Sequence, residues 1–175
     1  DLLLARASSP DLAAHLRSKL KAKATRCLTL AGKIAEAESL ALDCSHEYAH
    51  CPSLWFETLS LLRSQSSDEA VLLAAAKCEI ALGMVENGVE HLDPILSSPR
   101  QDIRLNAHLE SALGLMRLGN NNHRCVQLLD VVLNQSQDPQ LRALACDSLS
   151  RLAIDQSRYS NALSSALQGL SLAVS

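Results

Sequence analysis

Aromatic side chains are nearly missing. Tyr48, Trp55, Phe56 and Tyr159 make up the whole complement, 2 % of 175 residues. That argues against the stacking platforms on which single-stranded nucleic acids are held. A basic excess is also missing: 16 Lys and Arg stand against 19 Asp and Glu, for a net charge of −3 and a pI near 6.1. No global positive field therefore advertises nucleic acid or an anionic membrane. No apolar run approaches the roughly 18 to 20 residues of a membrane span. The stretch DLLLARASSP at 1–10 lacks the basic lead and long apolar segment of a signal peptide. A start at Asp1 rather than Met is expected of a piece of a longer protein. Sustained strand alternation is missing as well: Val131 and Val132 lie inside a helical run.

What is present suits a packed helical chain. Hydrophobic residues are 47 % and charged residues 20 %, enough to bury a core and too apolar for wholesale disorder. Apolar residues recur at helical spacing, as in Leu105, Leu109, Ala112, Leu113 and Met116, and again in Leu141, Leu144, Ala145, Leu149 and Leu152. The six Gly and five Pro punctuate these runs. Pro10, Pro52, Pro99 and Pro139 sit near helix starts, where a missing N–H costs least. Asp68 and Asp138 stand where N-caps belong. The pattern predicts helices over 11–31, 34–49, 53–64, 68–82, 85–97, 101–118, 121–134, 138–154 and 158–173. Connections of two to five residues predict antiparallel neighbours. Of the six cysteines, Cys27, Cys78, Cys125 and Cys146 fall within helical patterns, where a thiol acts as a small apolar residue. Reduced thiols, and hence a cytoplasmic or nuclear location, are expected rather than a disulfide framework.

The helix pairs repeat. Aligned on Gly32, Gly83, Gly119 and Ser157, they recur at intervals of 51, 36 and 38 residues. Seven positions before these turns stand Thr25, Ala76, Ala112 and Ser150, all small; five positions after stand Ala37, Gly88, Arg124 and Ala162. Small residues at fixed places let helices approach closely, as in a stacked solenoid. The stretches LAGKIAEAESLAL, IALGMVENGVEHLDPIL and AIDQSRYSNALSSAL resemble the tetratricopeptide (TPR) pattern of a helix, a Gly turn and a small residue five positions on. The spacing exceeds the family's 34 residues, and Arg124 stands at a small-residue position. The resemblance implies an all-α fold, a right-handed α-solenoid of about four TPR-like hairpins, with residues 1–175 as a single domain. One extra helix, CPSLWFETLSLL, accounts for the 51-residue interval.

The same resemblance implies which residues line a concave face: Lys19, Ala22, Arg26 and Thr29; Leu73, Lys77 and Ile80; Asn106, Leu109, Leu113, Met116 and Arg117; and Leu144, Asp147, Arg151 and Ile154. Arg26, Lys77 and Arg151 share one repeat position. An apolar floor with recurring cations suits a peptide or helix bearing apolar and acidic residues. These cations could equally be a solvated face paired with neighbouring carboxylates. The segment RSKLKAKATR sets Arg17, Lys19, Lys21, Lys23 and Arg26 on one helix with no acidic residue beside them in sequence. It serves either as a soluble outer face or as a contact for phosphates or an acidic partner.

Catalytic motifs are few. His46-Glu47-Tyr48-Ala49-His50 reads H-E-x-x-H; on an α-helix the two His share a face, can bind Zn²⁺, and leave Glu47 as general base. Glu69 stands at the spacing of a third ligand, resembling the zinc aminopeptidase pattern. Cys51-Pro52 follows at once and frays that last turn. A second metal set, Cys44, His46, His50 and Cys51, would need the segment to unwind. The expected role is a non-enzymatic scaffold or adaptor, without cofactor, that binds a protein or peptide partner. Self-association or membership of a larger complex is included, because the apolar last helix, ALSSALQGLSLAV, needs a cover. A zinc-dependent hydrolase and a nucleic-acid adaptor are the alternatives.

Overall fold

The computed structural model describes residues 13–119 and 122–174, apart from the side chains at 46, 173 and 174. The leader-like stretch 1–10, the start of the first expected helix and the side chain of His46 lie outside that description. Among the described residues all regular structure is helical. The α-helices are α1 (Ala14–Leu30), α2 (Ile34–Asp43), α3 (Pro52–Arg63), α4 (Glu69–Ala81), α5 (Val85–Leu92), α6 (Gln101–Arg117), α7 (Asn122–Gln135), α8 (Pro139–Asp155) and α9 (Tyr159–Val174). Two 3₁₀ segments, Ser45–His50 and Asp93–Ser97, complete the set.

Two expected helices are shorter than their patterns. The run 34–49 breaks at Cys44, whose N–H bonds to the Ala41 carbonyl in a tightened turn. Tyr48 then donates its hydroxyl to the same Ala41 carbonyl at 2.7 Å, satisfying an end-of-helix acceptor. The run 85–97 breaks at Asp93, because Pro94 has no N–H to continue the ladder.

The four aligned turn residues adopt one conformation. Gly32, Gly83 and Gly119 have φ of 74°, 86° and 66°, and Ser157 has φ 59°. Each closes its helix with the same backbone bond, from Gly32 N to Thr29 O, Gly83 N to Ile80 O, Gly119 N to Met116 O and Ser157 N to Ile154 O. The next N–H bonds five residues back at three of them: Lys33 to Leu28, Met84 to Glu79 and Arg158 to Ala153. This is the Schellman cap, which requires a left-handed residue after the helix. The small positions flanking these turns are buried too: Thr25, Ala76, Ala112 and Ser150 before, Ala37, Gly88 and Ala162 after. Arg124 escapes that rule by reaching out to Asp93, Nη2 to Oδ1 at 2.6 Å.

The starts of α4, α6 and α8 share a second device. Ser66, Ser98 and Ser136 each accept a bond from the backbone N–H two residues on, at Asp68, Arg100 and Asp138. Asp68 and Asp138 then cap Ala70 N and Gln140 N, each at 2.9 Å.

The chain gathers into two compact units, Asp1–His91 and Leu92–Ser175. The core of the first is built on Trp55, Leu59, Leu62 and Val71 with Ala22, Ala37, Ala41, Cys44 and Cys78. α3, the extra helix, packs against α1 and α4. In the second, Ile95, Leu105, Leu129, Val132, Leu141, Cys146 and Leu152 are buried.

Candidate functional site

The H-E-x-x-H segment is placed as a structural joint. It forms a 3₁₀ turn, not the α-helix that the zinc pattern requires. With three residues per turn, backbone positions 46 and 50 lie about 120° apart instead of sharing a face. Glu47 is buried and accepts from Lys21 Nζ of α1 at 2.7 Å. Its carbonyl accepts from Ser18 Oγ at 2.9 Å, and Ser18 Oγ in turn accepts the indole N–H of Trp55 at 2.9 Å. Tyr48 leans on Trp55 with ring centroids 4.7 Å apart. The only tryptophan thus has its polar edge satisfied while its ring is wholly buried, the condition that makes a buried indole stabilising. Lys21 is held above its ordinary pKa chiefly by the hydrogen bond to Glu47, against the desolvation that opposes it. Glu69 opens α4 and is half-buried. Among the described residues no three His, Cys, Asp or Glu side chains converge as metal ligands.

These contacts correct the expectation that the first basic helix has no neutralising neighbour. Lys21 meets Glu47, and Arg26 meets Glu57 of α3 at 3.3 Å. Both carboxylates come from about one helix pair further along the chain, beyond the reach of any local pattern. His15 Nδ1 lies 2.9 Å from the His50 carbonyl and 3.1 Å from Cys51 Sγ, another contact that sequence spacing did not signal.

All six cysteines are free thiols, with Cys27 exposed and the other five buried. Burial pushes the Cys78 thiol up to about 12, and raises Cys44, Cys125 and Cys146 as well. Such thiols are poor nucleophiles at neutral pH.

The concave-face residues divide. In the first unit Lys19 and Arg26 are exposed on α1, and Lys77 is half-buried on α4. Leu73 and Ile80 are buried, because α4 is packed nearly all round. In the second unit Leu109 is buried with them in kind. These three leucine and isoleucine positions are core, not contact surface, and the apolar floor is correspondingly smaller than expected. Asn106 is half-buried and donates to the Asp102 carbonyl at 2.9 Å.

Four of the expected residues do come together. Leu113, Met116 and Arg117 from α6 and Arg151 from α8 line one open groove of about 390 Å³, joined by Ile154 and Asp155. Arg151 is exposed and bridges Asp147 at 2.8 Å, one turn away on its own helix. Exposed i,i+4 pairs of this kind contribute only about 0.3–0.5 kcal/mol. The guanidinium is therefore exchangeable for a stronger acceptor. A neighbouring groove of about 440 Å³ holds Asn106 with Asp102, Leu105 and Asp138. Comparison with protein-family models, with curated proteins and with solved structures finds no match to this chain.

Proposed function

We propose that this chain is a non-enzymatic interaction scaffold, a TPR-like α-solenoid of four helix hairpins plus the extra helix α3. It captures an apolar and acidic peptide or helix on its first-helix faces. The observation that carries this reading is the groove between α6 and α8. It sets Leu113, Met116 and Ile154 beside Arg117 and Arg151. Apolar side chains supply the area, and Met adapts to irregular ligands. The two guanidiniums supply bidentate donors for a carboxylate. The recurrent left-handed turns and buried small residues support the repeat architecture that such a groove belongs to.

The test is selection from a displayed library of helix-forming peptides carrying Leu and Glu at variable spacing. Selected peptides are expected to bind with micromolar affinity and to lose roughly tenfold or more against Arg151→Glu, with the circular dichroism of the variant unchanged. Selected peptides indifferent to both Arg151→Glu and Met116→Ser would refute the groove as the binding face.

A further inference from the structure

The last helix carries an apolar stripe that its own unit leaves in solvent. Tyr159, Leu163, Leu167 and Leu170 are 67 %, 62 %, 58 % and 62 % exposed. The opposite side of α9 is spoken for: Ala162 is buried, and Gly169 lies against Cys146 of α8, where an added Cβ would stand 3.0 Å from the Cys146 Cβ. At about 100° per residue, Tyr159, Leu163, Ala166, Leu167 and Leu170 fall within one stripe about 100° wide.

Two properties of the stripe identify what covers it. The first is its order. Apolar positions 159, 163, 166, 167, 170 and 174 are separated by 4, 3, 1, 3 and 4 residues, the same from either end. A stripe that reads alike in both directions is matched by its own copy, turned about a two-fold axis between 166 and 167. In that register Leu163 meets Leu170 of the second copy, and Leu167 meets the small Ala166. The second is charge. The sixteen residues of α9 include no Asp, Glu, Lys or Arg. A charged partner would find no counter-charge there, whereas a second copy brings no like charge opposite. Arg158, just before the helix, comes beside the C-terminal carbonyls of the antiparallel neighbour, where a cation is favoured.

We infer that α9 is a self-association helix through which two copies of this chain pair antiparallel. This surface is distinct from the groove between α6 and α8. One Tyr and three Leu, at roughly 100 Å² of apolar surface each, bury about 800 Å² over both copies. That lies below the standard interface, so the dimer is reversible and dissociates in the micromolar range.

Sedimentation equilibrium on the 175-residue chain tests this, with far-UV circular dichroism as the check on folding. The wild type is expected to pass from monomer to dimer as concentration rises through the micromolar range. Leu163→Glu and the milder pair Leu163→Ser/Leu167→Ser are expected to stay monomeric with helicity intact. Register is tested by mixing: Leu163→Glu with Leu170→Lys recovers the dimer, whereas Leu163→Glu with Leu163→Lys does not. A wild type that stays monomeric at all concentrations overturns the inference. So does a dimer that survives both substitutions, or a 163/163 mixture that recovers as well as the 163/170 mixture.

Discussion

Replacing Gly88 by Ala sets two opposing effects against each other, and the structure decides which is larger. Gly88 lies in α5, five residues after the turn at Gly83, facing α4. A Cβ added there would stand 2.6 Å from Ile80 Cγ1, 3.0 Å from the Ala76 carbonyl oxygen and 3.2 Å from the Ile80 amide nitrogen. Optimal carbon–carbon separation is about 3.5–4.0 Å, so the closest contact is short by roughly 1 Å. Ile80 is itself buried, and two of the three atoms are α4 backbone, so relief requires the helices to part. Overpacking of this kind costs about 1–3 kcal/mol. Against it, Ala in a helix interior is favoured over Gly by about 0.8–1.0 kcal/mol. The expected balance is a destabilisation of about 1–2 kcal/mol. Trp55 is the only tryptophan and sits in the same unit, so its fluorescence reports urea unfolding of that unit directly. With a urea dependence of about 1–3 kcal/mol per molar, the midpoint should fall by about 0.5–1 M. Combining Gly88→Ala with Ile80→Ala should recover part of the loss, a coupling of about 1 kcal/mol. A Gly88→Ala midpoint equal to or above the wild type would refute the reasoning. It would mean that helix propensity outweighs contact and that α4 and α5 are less closely packed.

Two further outcomes follow from the turns and the thiols. Ser157 holds a left-handed φ that costs an L-residue about 1–2 kcal/mol, part of which Gly loses again in the unfolded chain. Ser157→Gly is therefore expected to stabilise by about 0.5–1 kcal/mol, read as a rise in melting temperature; no rise would show that the Ser side chain compensates. Cys78 and Lys21 are both raised in the folded state, Cys78 by burial and Lys21 by its bond to Glu47. Their stabilising contribution is complete below the unfolded values of 9.0 and 10.5 and is lost as pH rises toward the folded ones. The urea midpoint of the first unit should fall progressively above pH 9.0, and Cys78→Ala should flatten that fall. The same slope in wild type and Cys78→Ala would sink the assignment.

How much was legible in the sequence depends on whether the signal is local. The turn at Gly32, the caps at Asp68 and Asp138 and the small residues at 25, 76, 112 and 150 are matters of a few neighbouring residues. The structure places each of them as the pattern predicts. The Ser-x-Asp device at the helix starts was also local, visible as Ser66-Ser67-Asp68 and Ser136-Gln137-Asp138. It was missed because a serine two residues before a cap reads as ordinary loop.

The remainder was decided by partners distant in the chain. The zinc-like motif satisfies its spacing on paper, yet Tyr48 turns back to Ala41, and Glu47 is drawn to Lys21 across 26 residues. Together they replace an α-helix by a 3₁₀ turn. Leu73, Ile80 and Leu109 have the spacing of a binding floor, but the elements packed around them make them core. The amino-acid sequence by itself determined the helices, their ends and their small-residue contacts, because capping and periodicity act within a turn or two. Only the tertiary structure decided which apolar faces are covered and which charges are paired, because burial depends on what arrives from elsewhere in the chain. That leaves Arg117 and Arg151 on an open groove and the leucines of α9 in solvent.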